Sequence, residues 1–374
     1  MSLINVMWSN GAPFSSVHKV HHQIVSQLDP GTRIKTWFLK ENPDGAGQAA
    51  KDVREWGFSS RQLKARHVWR LFRPVLHARL RRGLIESEAQ IVLLDGLGAA
   101  RVLLPVLQGL PHIHAVVVFH GSTHMNEEQK ALFRSFPVAR LTLVAVSMTL
   151  ASSLAQTLQL PVRALRSALD PELFCRELLE RDQARRSMDL PDHNMRVVGA
   201  VGRLVADKGF DYLLDAFSQS LAHHPDLNLV IVGEGPDRHV LEGKIQQLGL
   251  GGKVFLPGHK PGLAKLYRGF DWVVIPSRSE GLGLVLQEAV IAGVPVLASD
   301  LAVFREQLGD AGHYVPVADV AAWAAAIDRF ADLEAGSVST SQYRALAPDR
   351  VWQQFRDESR ALLTSDQSRV SSGA

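Results

Sequence analysis

Two glutamates stand in the stretch SRSEGLGLVLQEAVIAGVP, which covers residues 277–295. Glu280 comes directly before Gly281, and Glu288 follows after seven intervening residues within an apolar run. An ionised carboxylate can only accept hydrogen bonds, which suits a partner that carries hydroxyl groups, such as a sugar. A pair of carboxylates is also what a glycosidase uses as acid and nucleophile. The stretch therefore indicates carbohydrate chemistry, either by transfer or by hydrolysis.

The glycines and the helix after them indicate how such a site is built. Gly281 and Gly283 let the backbone approach a ligand closely, and the helix that begins there offers free amides. Glu288 lies one to two turns into this helix, where a lone charge is costly unless it is paired. A ribose diol would be one partner. The alternative is that Glu280 caps the helix and Glu288 forms half of an ion pair.

A second motif, VVGAVGRLVADKGF at residues 197–210, combines a buried strand, a glycine turn and two cations. Arg203 can bind phosphate through its planar fork, and Lys208 can act as a point charge. The N-terminus of the following helix also favours anions. The motif suits a diphosphate, with two surface cations on a loop as the alternative. Another glycine turn, VGEGP at residues 232–236, is interpreted as a plain connection between a strand and a helix.

The stretches VGRLVADKGF, VGEGP and PSRSEGLGLVLQEA, in this order, resemble the GT-B glycosyltransferases of family 4. The last stretch matches the family's signature of two glutamates separated by seven residues. The resemblance implies that Arg203 and Lys208 grip the diphosphate of a sugar-nucleotide donor. It also implies that Glu280 holds hydroxyls of the donor sugar and that Glu288 binds the ribose. Further donor contacts would come from the backbone amides of Gly281, Leu282 and Gly283.

The N-terminal half resembles the same family more loosely. Relatives carry a glycine loop after the first strand, near the donor phosphates, and here the loop SNGAPFSSVHKV offers Gly11 without a glycine pair. His120 follows a strand in VVVFHGSTH, where the family often has a histidine near the donor sugar. The resemblance thus adds Gly11 to the donor site, and it adds His120 to the catalytic set of Glu280, Lys208 and Arg203. The alternative for His120 is a structural histidine in a strand-end loop.

Short runs of Val, Ile and Leu alternate with helical stretches, which predicts parallel sheets of strand–helix–strand units. We predict an α/β fold with two doubly wound Rossmann-like domains facing a cleft, the GT-B architecture, with ligands beyond the carboxyl ends of the strands. The runs predicted as strands are Leu3–Trp8, Ile34–Leu39, Ile91–Leu94, Ala115–Phe119, Leu141–Val146, Arg196–Val201, Asn228–Val232, Val254–Leu256, Trp272–Ile275, Pro295–Ala298 and Tyr314–Val317.

The polar stretch 177–194 separates the two series of strands and predicts the domain boundary. Residues 1–175 are predicted to form an N-terminal acceptor-binding Rossmann-like domain. Residues 195–345 are predicted to form a C-terminal Rossmann-like domain that binds the nucleotide sugar. Residues 346–364 are expected to form a helix that returns to the N-terminal domain, and residues 365–374 a disordered tail.

Composition limits the class of protein. Hydrophobic residues make up 46% of the 374 residues and charged residues 21%, which is ordinary for a globular protein. The single cysteine excludes an intrachain disulfide. No run approaches the ~20 apolar residues that span a bilayer, and the first residues lack the features of a signal peptide. A cytoplasmic location is therefore expected.

The charge of +3 is unevenly distributed. No acidic residue occurs between Glu55 and Glu86, whereas basic and apolar residues alternate through residues 61–82. A basic amphipathic segment of this kind can sit on an anionic membrane, and a surface helix with a solvated basic face is the alternative. Peripheral contact with the inner face of the membrane is thus a possible role. Nucleic acid is not an expected partner, because the basic residues are confined to one segment.

His18, His21 and His22 lie close together, as metal ligands do. No further ligand is obvious near them in the sequence, so no metal site is predicted.

The predicted activity is transfer of a hexose, with retention of configuration, from a UDP- or GDP-sugar to a glycan or lipid-linked acceptor. Such a reaction belongs to polysaccharide or lipopolysaccharide biosynthesis and, by the resemblance, needs no cofactor and no metal. A glycosidase would have no use for Arg203 and Lys208. A nucleotide-sugar epimerase of the same architecture and a non-catalytic partner protein with a degenerate site are the alternatives.

Overall fold

The computed structural model describes residues 1–9, 16–40, 52–63, 71–190 and 195–364. They form two compact units, one of Met1–Ser167 with the residues from Gln354 onward and one of Ala168–Gln353. The chain thus passes into the second unit before residue 175, where the sequence prediction ended the N-terminal domain. The predicted tail, residues 365–374, lies outside the described residues.

A short helix explains this earlier boundary. Helix α7 (Pro171–Glu177) begins after Asp170, whose carboxylate accepts the Leu173 N–H at 3.0 Å. The ring of Phe174 packs against that of Tyr267 with 6.5 Å between centroids. The Cys175 thiol lies 3.7 Å from the Ile291 carbonyl oxygen, as a weak donor. These contacts fix the helix to the second unit.

The polar stretch after α7 is also structural rather than a linker. Helix α8 (Arg181–Ser187) places the fully buried Arg185 beside Asp271, with 2.9 Å from its Nη2 to the carboxylate. The same guanidinium donates to the carbonyls of Gly269 and Met195 at 2.9 and 2.8 Å. A buried charge is tolerated when it is paired and hydrogen-bonded in this way. Because its composition is polar, helix α8 was not recognised in the sequence as part of the second unit.

The first unit is built on a parallel sheet of seven strands in the order β3-β2-β1-β4-β5-β6-β7. Its strands are β1 (Ser2–Ser9), β2 (Arg33–Lys40), β3 (Val53–Phe58), β4 (Ile91–Asp95), β5 (His114–Phe119), β6 (Leu141–Ala145) and β7 (Val162–Ala164). Its helices are α1 (Ser16–Val25), α2 (Ser60–Leu63), α3 (Arg73–Glu86), α4 (Gly96–Gln108), α5 (Glu127–Arg134) and α6 (Met148–Leu158).

The second unit is built on a parallel sheet of six strands in the order β10-β9-β8-β11-β12-β13. Its strands are β8 (Arg196–Val201), β9 (Leu227–Val232), β10 (Val254–Gly258), β11 (Trp272–Ile275), β12 (Val296–Ser299) and β13 (His313–Val315). Besides α7 and α8 it contains α9 (Phe210–Ser220), α10 (Arg238–Gln247), α11 (Leu284–Ile291), α12 (Ala302–Leu308), α13 (Val320–Asp332) and α14 (Ala335–Leu346). The last helix, α15 (Pro348–Thr364), begins in this unit, and its second half belongs to the first.

The two faces of the second sheet are both covered. Val197 and Val201 of β8 pack in one apolar cluster, whereas Val198 and Ala200, which point the other way, pack in another. A strand buried on both faces needs apolar side chains at successive positions. This requirement is why β8 reads as a continuous apolar run rather than as an alternating one.

Every strand predicted from the sequence is present, and two further strands were missed. Strand β3, with the sequence VREWGF, lies at the edge of its sheet and exposes most of its residues, burying only Trp56 and Phe58. Strand β7 has three residues and lies at the opposite edge. Neither of these two edge strands carries a continuous apolar run, so the periodicity of the sequence does not reveal them.

Candidate functional site

The strand order of the second sheet changes direction between β8 and β11, which are neighbours in the sheet. In open parallel sheets, ligands bind beyond the carboxyl ends of the strands at such a switch point. Two loops leave the sheet there: residues 202–209, which we call the β8 loop, and residues 276–283, which we call the β11 loop. Arg203, Lys208 and Glu280, which the sequence predicts as site residues, lie on these two loops.

The β8 and β11 loops touch each other at a glycine. Gly209 has a φ of +68°, and a Cβ atom added to it would lie 2.0 Å from the Pro276 carbonyl oxygen. The hydroxyl of Tyr212 donates to the same carbonyl. Only glycine allows both the left-handed conformation and so close an approach of two backbones. Gly209 therefore fixes the spacing between the two loops.

Lys208 and Glu280 form an ion pair across the two loops, from Lys208 Nζ to Glu280 Oε1. Ser277 Oγ donates to the same carboxylate oxygen at 2.8 Å. The side chains of Lys208 and Glu280 are 24% and 12% exposed, so the pair is largely shielded from water. The sequence predicted a role for each residue but not their contact, because they lie far apart along the chain.

A second ion pair, which the sequence did not indicate, also ties the loops together. Arg278 contacts Asp211 with two hydrogen bonds of 2.8 and 2.9 Å, and it donates to the Ala206 carbonyl at 2.8 Å. Its guanidinium stacks over the Tyr212 ring at 4.9 Å. Although burial opposes the charged form, the hydrogen bonds and charge of Arg278 lower the pKa of Asp211. Arg278 thus holds the β11 loop to the start of α9.

Arg203 is different, because its side chain is exposed and no carboxylate of the described residues forms an ion pair with it. Its carbonyl accepts the Val205 N–H at 2.9 Å, which tightens the β8 loop. The VGEGP turn supports this loop from the other side, where Leu204 donates its N–H to the Glu234 carbonyl at 3.0 Å. That turn thus packs against the β8 loop through backbone hydrogen bonds.

Gly283 ends the β11 loop and begins α11. It has a φ of +76°, and an added Cβ atom would lie 2.4 Å from the Phe304 ring, so glycine is required here too. Gln307 donates to the Leu282 carbonyl at 2.6 Å and accepts from Gln287 at 3.0 Å. These buried amides hold the turn that presents the first amides of α11, and neither glutamine was singled out in the sequence.

Glu288 is the fifth residue of α11 and is only 6% exposed. Tyr267 donates its hydroxyl to Glu288 Oε2 at 2.7 Å. Burial, followed by the charge of Glu288 and this hydrogen bond, raises the pKa of Tyr267 well above its usual value. The partner that a buried glutamate requires is thus provided in part by a tyrosine that lies 21 positions earlier in the sequence.

His120 belongs to the first unit, where it follows β5. Its Nε2 lies 3.2 Å from Nε2 of His21 and 3.9 Å from Oδ1 of Asp95. Burial, followed by the charge of His18, lowers the pKa of His120 to about 4. A cavity of about 480 Å³ adjoins it and is also lined by Trp8, Asp95 and Arg101. Gly11, the other N-terminal site residue predicted, lies outside the described residues.

The basic segment 61–82 is only partly described, because residues 64–70 lie outside the described ranges. Helix α3 buries Leu80 and Leu84 against the core. At its start, however, Leu71 is 79% exposed, Phe72 55% and Val75 58%. Apolar side chains therefore share the solvent-facing surface with the arginines. Of the helices in the described residues, none has the length and apolar character needed to cross a bilayer.

Comparison with known proteins agrees with this architecture. Residues 182–345 match the family model described as Glycosyl transferases group 1. The lipopolysaccharide core biosynthesis mannosyltransferase LpsB of Rhizobium meliloti (strain 1021) is 29% identical over 154 residues, which are 40% of this chain and 43% of LpsB. A D-inositol 3-phosphate glycosyltransferase of Mycobacterium marinum is 34% identical over 196 residues, which are 50% of this chain and 41% of that protein. The aligned part spans less than half of either relative's own length.

Among solved structures, HepE of Anabaena in complex with UDP and glucose superposes with a TM-score of 0.78 at 18% identity. The superposition covers 99% of this chain and 100% of HepE. At this identity the similarity concerns the fold. Residues 182–345 are therefore similar to the glycosyl transferases group 1 domain, and the chain, with its two parallel-sheet Rossmann-like units, has the fold of the GT-B glycosyltransferases.

Proposed function

We propose that this protein is a glycosyltransferase that moves a hexose from a nucleotide-diphosphate sugar to a glycan or glycolipid acceptor, with retention of configuration. The observation that carries the proposal is the Lys208–Glu280 ion pair at the carboxyl ends of β8 and β11. A cation for phosphate and a carboxylate for sugar hydroxyls stand next to each other, as the adjacent groups of a sugar nucleotide require. HepE, which has the same fold, is described in complex with UDP and glucose, and this supports a nucleotide sugar as the donor, taken here as a UDP- or GDP-sugar.

The donor diphosphate would be held by Arg203, Lys208 and the first amides of α11. Arg203 is exposed and can turn its planar fork to a phosphate. These groups would stabilise the negative charge that develops on the leaving phosphate, a contribution that often supplies the largest part of catalysis. Because the protein supplies this charge, transfer would need no metal ion or other cofactor. Glu280 would accept hydrogen bonds from the sugar, while Lys208 turns from Glu280 to the phosphate.

The nucleoside end would reach Glu288 through its ribose. Tyr267 holds one oxygen of this carboxylate in place. In the reaction itself, the acceptor oxygen would bond to the anomeric carbon on the face from which the phosphate leaves. The carbon–oxygen bond to the phosphate would break, and the phosphate oxygen would accept the proton of the acceptor hydroxyl. His120 would assist catalysis, as the resemblance implies.

The acceptor would be read by the first unit. LpsB, an aligned relative, is described as acting in lipopolysaccharide core biosynthesis, and this supports a glycan or lipid-linked acceptor.

The start of α3 supports peripheral contact with an anionic membrane, because exposed Leu71, Phe72 and Val75 adjoin arginines. Vesicles with anionic lipid should bind the protein at low salt, and Val75→Ser should weaken that binding. Val240→Ser, at an equally exposed valine on α10, is the control and should have no effect.

The donor is tested first by thermal shift with UDP-, GDP- and ADP-sugars. A ligand that binds only the native state raises its stability, by about 2.7 kcal/mol at a hundredfold excess over Kd. One nucleotide should raise the melting temperature more than the others, and that sugar nucleotide should then be consumed only with an acceptor. No shift with any donor, or an inverted product by NMR, would refute the proposal. Epimerisation without an acceptor would indicate the epimerase, and binding without turnover would indicate the non-catalytic protein.

A further inference from the structure

We propose that His21, Asp95 and His120 form a binding site for one divalent transition-metal ion, with Zn²⁺ as the best-suited ion. All three residues belong to the first unit, and their ligand atoms lie within 4.8 Å of one another. Two imidazoles and one carboxylate are ligands that zinc accepts in sites where a further position stays open. None of the three is among the residues proposed to hold the donor diphosphate, although His120 belongs to the catalytic set of the proposed function.

The distances fit such an ion. Ligand atoms at about 2.0–2.2 Å from a tetrahedral Zn²⁺ lie roughly 3.3–3.6 Å apart. The two Nε2 atoms of His21 and His120 are 3.2 Å apart, already at this spacing. Asp95 Oδ1 is 3.9 Å from His120 Nε2, and all three ligand atoms lie within 4.8 Å of one another, so the Asp95 carboxylate would move toward the two imidazoles to complete the set.

The surrounding residues orient two of the ligands. Nδ1 of His21 donates to the Asn5 side-chain oxygen at 2.7 Å, which directs the lone pair of Nε2 toward His120. The other oxygen of Asp95 accepts the Trp8 N–H at 3.2 Å. Hydrogen bonds of this kind, on the atoms opposite the ligating ones, are typical of protein metal sites. In the metal-free protein, Nε2 of His120 donates to His21, and metal binding would move that proton to Nδ1 of His120.

An ion can reach the site from solvent. Asp95 and His120 line the cavity of about 480 Å³ beside β4 and β5, whereas His21 lies beneath them and is 1% exposed. A bound ion would therefore present its open position to the cavity. It would also engage the ring nitrogen of His120 and so withdraw it from any contact with a substrate there.

The full-length protein, freed of metal with a chelator, is titrated with Co²⁺ by absorption spectroscopy and with Zn²⁺ by calorimetry. One ion should bind per chain, and Co²⁺ should show the visible bands of a four- or five-coordinate site. Asp95→Asn, which keeps the shape of the side chain, and His120→Gln should each weaken Zn²⁺ binding at least tenfold. His22→Ala removes an exposed histidine on the same helix as His21 and should leave binding unchanged.

Absence of binding by the wild-type chain would overturn the proposal and leave His21 and His120 as a hydrogen-bonded pair. Binding that survives Asp95→Asn and His120→Gln but is lost in His22→Ala would also overturn it, in favour of surface histidines. A measurement on the unaltered chain guards against misfolded variants. One equivalent of Zn²⁺ should shift two histidine Nε2 resonances in long-range proton–nitrogen NMR spectra, and shifts confined to exposed histidines would contradict the proposal.

Discussion

Lys208 and Glu280 lie 72 positions apart in the chain, and their side chains form an ion pair beyond the carboxyl ends of β8 and β11. Without a ligand, each neutralises the other in a largely shielded place. A sugar nucleotide would replace this pairing with two new ones, its phosphate with Lys208 and its sugar hydroxyls with Glu280. On the proposed function, the pair would keep two recognition groups oriented before the donor arrives.

Lys208→Gln and Glu280→Gln should each lower transfer by about 100- to 1000-fold, the usual cost of removing one group that stabilises a transition state. Initial rates with the donor found by thermal shift provide the measurement, and circular dichroism checks the fold. Lys244→Gln is the matched control, because Lys244 pairs with Asp215 on α9, away from both loops. Near-full rates in either loop variant would remove that residue from the site.

Gly209→Ala should destabilise the second unit by about 2–5 kcal/mol, since it adds the cost of a left-handed alanine to a collision with the Pro276 carbonyl. Gly249→Ala is the control, because Gly249 has a similar φ of +66° with no atom within 4 Å of an added Cβ. It should cost only about 1–2 kcal/mol. Chemical denaturation of both variants measures the difference. Equal losses of unfolding free energy in the two variants would show that the close approach of the two loops contributes nothing to stability.

Tyr267→Phe should leave the buried Glu288 with one donor fewer, at a cost of about 1–3 kcal/mol in the free energy of unfolding. It should also weaken nucleotide binding, because the carboxylate proposed to hold the ribose loses the group that orients it. Denaturation and nucleotide titration test the two effects. Tyr343→Phe, which removes a hydroxyl from a partly buried tyrosine of the same unit, is the comparison. If both variants behave alike, Tyr267 does not position Glu288.

All four tyrosines should ionise above their usual pH. Burial is the largest cause at each position, and it raises the pKa of Tyr314 to about 12. Since the unfolded chain releases these protons near pH 10, the folded state holds them more tightly, and its stability should fall as the pH rises above 10. Absorbance of tyrosinate, recorded with circular dichroism, should rise at a higher pH in the folded protein than in the unfolded chain. Ionisation near pH 10 in a folded protein would contradict the expectation.

The buried strands and the glycine-rich loops after β8 and β11 were predictable because the signal is local. The buried strands of a parallel sheet need continuous apolar runs, and the loops after β8 and β11 carry glycine, cations and acid within a few positions. The edge strand β3 escaped prediction because it exposes most of its side chains. Helix α8 escaped prediction because arginine is usually a surface residue, whereas Arg185 is buried. Its burial is possible because its charge is paired with Asp271.

The sequence by itself determined the α/β fold, most of its strands and which residues follow their carboxyl ends. Only the tertiary structure decided which of those residues meet. It joined Lys208 to Glu280, Arg278 to Asp211 and Tyr267 to Glu288, and it brought His21 to Asp95 and His120. The physical reason is that hydrophobic periodicity shows on which face of its own helix or strand a residue lies. Contacts between distant residues depend instead on which strands pair and how closely their loops can approach.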